Sequence, residues 1–458
     1  MIFSNAMGIG NSDATTRRGF VTAVTAASYA RIAGANDRVQ VGFIGFGLIG
    51  HEHVQDFKKQ SDADLAAMSD VYQPRLEQGV AACGGQAKAY RDFRKLLDDK
   101  DIQAVVVSTP DHWHALITIM ACAAGKDVYV EKPLTLFVKE GRWMVEAARR
   151  YNRVVQAGTQ QRSGRHFQKA VEMLRSGAIG KIMSVRGTSF RNIMPGFGSP
   201  PDDAPPNDLD YDMWLGPAPK RAYNPHRSLY HFRWFWDYSG GQMTNLGAHE
   251  LDVVQWAMQA KGPVAVSSSG GRFALEDHGE TPDTQDALFE YPDFTAVYSY
   301  REASAGRRGE GQLEFFGTKG CLSIDRLGFQ IYPDMKSDPS NAIPTFIGHP
   351  AGGPVRNKVT PEPWIQPFKM AGSSQEQFDL HVRNFLDCIK SRQRPIADVE
   401  QGHQVSTACH LANISLRTGR KIRWNPETEE IIGDREASKW LERPYRKPWD
   451  EVLRSFHL

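Results

Sequence analysis

The stretch that decides the fold is Val39-Gln40-Val41-Gly42-Phe43-Ile44-Gly45-Phe46-Gly47-Leu48-Ile49-Gly50, an apolar run that ends in closely spaced glycines. The run is typical of a buried strand, and the GxGxxG spacing of its last glycines is the fingerprint of a dinucleotide-binding turn that opens a helix. Asp70 ends the next apolar run, where Rossmann domains place the acid that binds the ribose hydroxyls. A carboxylate there repels a 2′-phosphate. These residues therefore predict a Rossmann domain that binds NAD in preference to NADP.

Apolar runs alternate with segments of helical periodicity up to residue 158, which predicts an α/β Rossmann domain with a doubly wound parallel sheet. The predicted strands are Val39–Phe46, Asp64–Asp70, Ile102–Ser108 and Asp127–Glu131, and the predicted helices are Pro74–Cys83, Phe93–Asp99, His112–Ala124 and Lys139–Arg150. Later strands alternate apolar and polar residues between hairpin turns, which predicts an α+β domain with an open, mostly antiparallel sheet. The predicted hairpins are Gln285–Tyr291 with Thr295–Arg301 and Gln312–Phe316 with Cys321–Asp325, and helices follow over Phe378–Ser391 and Gln401–Arg417.

The N-terminus has the features of a cleaved export signal. Arg17 and Arg18 are followed by Phe20, a mildly apolar stretch and the small residues Ala33-Gly34-Ala35. Paired arginines ahead of a short apolar region resemble a Tat signal, which exports folded proteins. We therefore divide the chain into an export signal (1–35), the Rossmann domain (36–158), a substrate and oligomerisation domain (159–424) and a polar tail (425–458), and we expect a periplasmic or otherwise exported protein.

Composition and charge argue against several classes of protein. Lys and Arg total 55 against 53 for Asp and Glu, which leaves no large excess of positive charge for a nucleic-acid surface. No apolar stretch approaches the about 20 residues that a membrane-spanning helix needs. The five cysteines lie far apart and form neither a disulfide framework nor a zinc pattern. We expect no nucleic-acid partner and no membrane span.

Candidate cofactor-binding residues follow four predicted strands, because ligands of doubly wound sheets bind beyond the carboxyl ends of the strands. They are Gly45, Phe46, Gly47, Leu48, Ile49 and Gly50, then Asp70, then Ser108, Thr109, Pro110 and His114, and finally Glu131 and Lys132. Lys132 stands where its cation could reach a hydroxyl held against the nicotinamide. His112 and His114 lack a third ligand at matching spacing, so we expect packing or substrate contact and no metal.

The chain resembles the Gfo/Idh/MocA oxidoreductases, which include glucose–fructose oxidoreductase and inositol dehydrogenases. The resemblance rests on the glycine fingerprint, Asp70, the Ser108–His114 segment, Glu131-Lys132-Pro133 and the stretch Gly240–Asp252. It runs from Arg38 to Trp424, most of the chain after the export signal. The resemblance implies a Rossmann domain followed by an open antiparallel sheet, through which the subunits form homo-oligomers.

The resemblance also implies catalytic residues. Lys132 resembles the family's catalytic lysine, which hydrogen-bonds the reacting hydroxyl, and His249 resembles the catalytic base. The family usually has Asp four residues before this histidine, and this chain has Asn245. An amide can orient a neighbour but does not stabilise an imidazolium by charge. We therefore expect His249 to be a weaker base unless another carboxylate, such as Asp237, helps.

Substrate contacts are predicted from two further segments. Aromatic side chains, which stack on the apolar faces of sugar rings, are dense between Tyr211 and Tyr238, just before the paired glycines of the family stretch. Packing between the domains is the alternative role for these rings. The predicted substrate contacts are Gln160, Arg162, Arg233, Asp237 and Tyr238.

The motifs predict an NAD-dependent oxidoreductase that transfers hydride between a hydroxyl carbon of a sugar or glycoside and nicotinamide. An exported enzyme has no cytosolic NAD pool, so we expect the cofactor to be bound tightly before export. Two alternatives stay open. One is a redox-neutral NAD-dependent glycosidase that acts through a transient keto-sugar, as some members of the family do. The other is a non-catalytic protein that senses sugar or NAD, against which the presence of Lys132 and His249 argues.

Overall fold

A parallel sheet forms the first domain in the computed structural model, which describes residues 38–306, 312–337 and 359–458. Its strands are β1 Val39–Ile44, β2 Ala63–Ser69, β3 Lys88–Tyr90, β4 Ala104–Val107, β5 Asp127–Val130 and β6 Val155–Ala157. The strand order is β3-β2-β1-β4-β5-β6, with every neighbouring pair parallel. The order reverses between β1 and β4, which opens a crevice beyond their carboxyl ends. The predicted export signal lies outside the described residues.

Helices pack on both faces of this sheet. They are α1 Leu48–Lys58, α2 Gln73–Ala82, α3 Phe93–Asp98, α4 Asp111–Ala123 and α5 Val138–Arg150. Phe57 of α1 lies in the core on one face, and Leu116 of α4 lies in the core on the other. The predicted doubly wound sheet is thereby confirmed. The short strand β3 was not predicted because its residues are partly or fully exposed and form no apolar run.

The second domain is built on a larger, mixed sheet. Its strands are β7 Ile182–Phe190, β8 Ala265–Gly271, β9 Thr284–Glu290, β10 Thr295–Arg301, β11 Gln312–Gly317, β12 Gly320–Asp325, β13 Gly328–Pro333, β16 Phe368–Ala371, β17 Ile422–Asn425 and β18 Glu430–Ile431, and the pair β14 Met335–Ser337 with β15 Val359–Pro363 forms a separate ribbon. Both predicted hairpins form, β9 with β10 and β11 with β12. The pair β7 with β10 is parallel, so the sheet is mostly rather than wholly antiparallel.

Helices cover one face of the large sheet. The helices after α5 are α6 Arg165–Arg175, α7 Tyr211–Leu215, α8 Gly241–Asn245, α9 Gly247–Met258, α10 Ser374–Ser391, α11 Val399–Thr418, α12 Arg435–Ser438 and α13 Trp449–Arg454. The helices α6, α9 and α11 share a core with the inward side chains of the strands. The other face exposes Met183, Leu288 and Tyr332, and the predicted oligomer contact through this sheet stays a prediction. None of the helices in the described residues is long and apolar enough to cross a membrane.

The C-terminal part of the chain returns to the first domain, which corrects the predicted polar tail. Phe385 of α10 packs in the Rossmann core beside Phe57. Beyond residue 424, the Tyr445 hydroxyl donates a hydrogen bond to Glu140 at 2.6 Å, and the Trp449 ring packs edge-on against another tryptophan, Trp113. The apolar residues of this segment are too sparse to form a period, so its packing could not be predicted.

Candidate active site

The glycine turn after β1 has the geometry that its spacing predicts. Gly45 has a φ of +93°, and a Cβ there would lie 2.8 Å from the carbonyl oxygen of Ser108. A Cβ on Gly50 would lie 2.3 Å from the carbonyl oxygen of Gly45, so only glycine lets α1 pack this closely on the turn. Gly47 differs, because its Cβ position meets nothing nearer than the Arg75 guanidinium at 3.9 Å. The open side of the turn is therefore at Gly47.

Asp70 braces this turn from the end of β2. One carboxylate oxygen accepts a hydrogen bond from the Phe46 N–H at 2.7 Å, and the other accepts one from the Tyr72 N–H at 2.9 Å. Burial raises the pKa of Asp70, and the two backbone donors oppose that rise. Each carboxylate oxygen can accept a second hydrogen bond, so the predicted contact with ribose hydroxyls is compatible with this geometry.

A crevice begins at this turn and reaches the second domain. Its walls include the glycine turn with Leu48 and Ile49, Asp70, the strand ends Ser108–Pro110 and Glu131–Lys132, and Tyr230, Phe232, Arg233 and Asn245. The Thr109 hydroxyl is buried in this wall without a hydrogen-bond partner. An open backbone at a helix N-terminus and an unpaired hydroxyl both suit a dinucleotide. The residues present therefore fit NAD.

Several predicted cofactor residues hold the walls together. The Ser108 hydroxyl donates to the carbonyl oxygen of Gly45 at 2.8 Å. The His114 ring bridges the carbonyl oxygens of Thr109 and Pro133, at 2.9 and 2.8 Å. These contacts join the ends of β1, β4 and β5. Among the described residues, no group of three or more His, Cys, Asp or Glu side chains is placed to hold a metal ion.

Glu131 also has a structural partner. Its buried carboxylate lies 2.8 Å from the His53 ring nitrogen on α1 and accepts the Lys132 backbone N–H at 3.0 Å. Burial acts to raise the pKa of Glu131, but the His53 contact and the neighbouring cations outweigh it and lower the pKa. Glu131 therefore sets the position of the loop that carries Lys132.

Lys132 meets Asn245 across the domain boundary. Its Nζ donates to Asn245 Oδ1 at 2.8 Å and to the Asn245 carbonyl oxygen at 3.3 Å. The pKa of Lys132 is lowered to about 8, mainly by burial; Glu131 opposes this effect and the positive charge of Arg233 adds to it. A lysine with this pKa is partly neutral just above pH 7, so it can accept a proton as well as donate one.

His249 has no carboxylate partner in the described structure. Its Nδ1 is buried without a hydrogen bond. Burial, with the positive charges of Arg326 and Lys132, holds the pKa of His249 well below its ordinary value. Asp237, the suggested helper, pairs with Arg221 at 2.7 Å and Arg443 at 3.6 Å. The lowered pKa of His249 agrees with the expectation of a weak base, and Asp237 is paired with arginines and does not help it.

Four of the five predicted substrate contacts do not line the crevice, and three of these four have partners elsewhere in the structure. Arg162 is buried and forms a forked ion pair with Asp252 of α9 at 2.8 to 2.9 Å. Tyr238 is fully buried with its ring against His112 and Trp214. Asp237 is held by its arginines, as described above. These partners could not be predicted because each belongs to a different element of the fold from the residue it contacts.

Arg233 and Gln160 have different surroundings. Arg233 lines the crevice, and its guanidinium lies over the Phe232 ring at 4.6 Å and donates to the Tyr230 carbonyl oxygen at 3.0 Å. It forms no ion pair with the described residues, so it stays a predicted substrate contact. Gln160 is buried in the 3₁₀ turn Gln160–Ser163 and does not line the crevice.

Sequence reasoning missed two arginines near the site. Arg75 lines the crevice beside Gly47. Arg326 lies in the turn between β12 and β13, and its charge acts on both His249 and Lys132. A sequence signal existed for Arg75, because it lies in the first turn of the helix that follows Asp70. No local signal could connect Arg326 with the Rossmann domain.

Comparison with known families agrees with this architecture. The NAD-binding Rossmann-fold model of the Gfo/Idh/MocA oxidoreductases matches residues 39–159, and that family's C-terminal alpha/beta domain model matches residues 167–297 and 361–451. The chain belongs to the Gfo/Idh/MocA family. The predicted family, the oxidoreductase class and the NAD-binding Rossmann domain are thereby confirmed.

Individual proteins of known name are similar to this chain over different lengths. A myo-inositol 2-dehydrogenase of Thermotoga maritima is 28% identical over 86% of this chain and 100% of its own length. A glycosyl hydrolase family 109 protein of Shewanella putrefaciens is 33% identical over 33% of this chain and 35% of its own. A levoglucosan dehydrogenase in complex with NADH and levoglucosan shares the fold, with a TM-score of 0.62, 18% identity and coverage of 87% and 100%.

Proposed function

We propose that the chain oxidises a hydroxyl-bearing carbon of a sugar or polyol with NAD, or catalyses the reverse reduction. The observation that carries this proposal is the meeting of Lys132 and Asn245 at 2.8 Å in the wall of the crevice that starts at the glycine turn. A hydroxyl held there would face a proton-accepting lysine on one side and the dinucleotide on the other. The similarity to an inositol dehydrogenase supports the same substrate class.

The proposed roles follow from the pKa values of the two candidate bases. Bound NAD would accept hydride at C4 of the nicotinamide. Lys132, with its pKa lowered to about 8, has the pKa closer to pH 7 of the two candidate bases and takes the hydroxyl proton. His249 stays neutral because burial lowers its pKa, and it is buried behind the residues that line the crevice, so it has no assigned contact with the hydroxyl. This assignment moves the main base from His249, as the resemblance implies, to Lys132.

A redox-neutral glycosidase is the second candidate. The similarity to glycosyl hydrolase family 109 proteins, at 32 to 33% identity over about a third of this chain, favours it. In such a reaction the same lysine would help to oxidise the sugar and later to reduce it, so NADH would not accumulate. We propose further that the protein is exported with its cofactor already bound, as the paired Arg17 and Arg18 suggest, and that it is a homo-oligomer.

The decisive experiment mixes purified protein with NAD and a panel of polyols, sugars and glycosides. NADH absorbance and substrate loss are followed together. NADH formed in proportion to a keto product supports the dehydrogenase. Substrate cleaved without net NADH supports the glycosidase. Tight NAD binding without turnover of any compound would contradict both. Retention of NAD through purification from the periplasm tests the proposed export route separately.

A further inference from the structure

Asn245 belongs to a chain of hydrogen bonds that starts at Lys132 and ends deep in the second domain. Lys132 Nζ donates to Asn245 Oδ1 at 2.8 Å, and Asn245 Nδ2 donates to Gln242 Oε1 at 2.9 Å. Gln242 Nε2 then donates to Glu302 Oε1, also at 2.9 Å. Gln242 is fully buried and Glu302 is 1% exposed. All three bonds run in the same direction, from the lysine toward the glutamate.

Glu302 is held as an acceptor. Trp234 Nε1 donates to its other oxygen at 2.8 Å, and the Arg191 guanidinium donates to Oε1. Three side chains therefore donate to this carboxylate: Trp234, Arg191 and Gln242. Among the described residues, no group accepts a hydrogen bond from it. Burial acts to raise the pKa of Glu302, and Arg191 opposes this. Burial keeps the pKa of Glu302 above its ordinary 4.5, while the Arg191 guanidinium and the two other donors favour the ionised form.

This acceptor determines the orientation of both amides. An ionised carboxylate only accepts hydrogen bonds, so the NH₂ group of Gln242 must face Glu302. Gln242 then presents its oxygen to Asn245, whose NH₂ group must turn toward it. The Asn245 oxygen is left facing Lys132. The orientation follows from the chemistry of the partners, although oxygen and nitrogen of an amide are alike in shape.

We propose that Gln242 and Glu302 are positioning residues for Lys132: they lock the Asn245 amide with its oxygen against the Lys132 Nζ. The proposal rests on the function proposed above. A carboxylate at position 245, which the resemblance leads one to expect, would need no lock because both of its oxygens accept. An amide has one accepting end, so its orientation decides whether it binds an ammonium group or repels it.

The lock also affects the charge state of the lysine. Hydrogen bonds that run in one direction polarise each other, so the negative charge of Glu302 makes the Asn245 oxygen a better acceptor. The ammonium form of Lys132 is stabilised by less than a direct carboxylate would provide. Removing the lock should therefore lower the pKa of Lys132 further, and Asn245→Asp should raise it.

The test combines Gln242→Leu with Asn245→Asp in a double-mutant cycle. In the wild-type background we expect Gln242→Leu to lower kcat about 10-fold while KM and NAD affinity stay within about 2-fold. In the Asn245→Asp background the same substitution should change kcat by less than about 2-fold, because the carboxylate offers an oxygen in either orientation. The pH profile of kcat should shift to lower pH in Gln242→Leu and to higher pH in Asn245→Asp.

Gln285→Leu is the matched control. Gln285 is a fully buried glutamine of β9 whose side chain bonds Tyr300 and Ser268, and it does not line the crevice. We expect Gln285→Leu to lower the thermal stability at least as much as Gln242→Leu does, without shifting the pH profile. A shift of the pH profile in Gln242→Leu but not in Gln285→Leu would then be due to the altered Asn245 orientation and not to lower stability.

A second readout works without turnover. The rate at which Lys132 reacts with an amine-directed reagent, followed against pH by peptide mass spectrometry, reports its pKa directly. If no sugar is turned over by the wild-type protein, the proposed function is wrong, and this titration still tests the lock. Gln242→Leu effects of equal size in both backgrounds would show a packing role only and would overturn the proposal. An unchanged Lys132 titration in Gln242→Leu would overturn it as well.

Discussion

Gly47→Ala and Gly50→Ala separate the two tasks of the glycine turn. An alanine at Gly50 places its methyl group 2.3 Å from the Gly45 carbonyl oxygen, so the turn and α1 must move apart. An alanine at Gly47 meets nothing nearer than 3.9 Å, and its φ of −82° is ordinary for alanine. The two variants should therefore differ in stability although both should bind NAD poorly.

The expected magnitudes follow from this geometry. Crowding of a packed site costs about 1–3 kcal/mol, so Gly50→Ala should lose about that much unfolding free energy. Gly47→Ala should stay within about 1 kcal/mol of wild type, because the lost N-cap preference is offset by reduced freedom in the unfolded chain. Its methyl group would occupy the space where a pyrophosphate meets the turn. Crowding of about 1–3 kcal/mol there corresponds to about a 5- to 150-fold rise in the Kd for NAD.

Denaturant unfolding measures the first quantity, and calorimetric titration with NAD measures the second. Wild-type NAD affinity in Gly47→Ala would refute the inference that the open side of the turn receives the pyrophosphate. Wild-type stability in Gly50→Ala would refute the close packing of α1 against the Gly45 carbonyl.

Three further predictions concern single groups. Turnover in the oxidative direction should rise with pH through about 8 as Lys132 loses its proton, and Lys132→Met should lose about 100-fold or more in kcat while still binding NAD. Asp252→Asn should lower the free energy of chemical unfolding by about 3–5 kcal/mol, because it leaves the Arg162 cation buried without a counter-charge. A raised KM in the folded variant would instead indicate that Arg162 contacts the substrate. Burial raises the pKa of Glu140 from its ordinary 4.5 to about 7, so the unfolding free energy of the wild type should fall as pH rises from 5 to 8. Glu140→Gln should remove up to about 3 kcal/mol of that loss. Parallel curves of unfolding free energy against pH for the two proteins would contradict this.

The parts of the fold that could be predicted depend on neighbours in the chain. The glycine turn after β1 was recognisable because three glycines and the strand before them act within one short segment. The hairpin of β9 and β10 was recognisable because alternation and a tight turn are local as well. The return of Tyr445 and Trp449 to the first domain was not, since their contacts with Glu140 and Trp113 span most of the chain.

The sequence by itself determined the family, the NAD-binding domain and the presence of Lys132 and Asn245 as candidate catalytic residues, because short motifs carry that information. Only the tertiary structure decided what surrounds them. It engaged Arg162 with Asp252, gave His249 no carboxylate partner among the described residues, and connected Asn245 through Gln242 to Glu302. The physical reason is that hydrogen bonds and ion pairs depend on a few tenths of an ångström between atoms from distant segments, and no pattern along the chain records those distances.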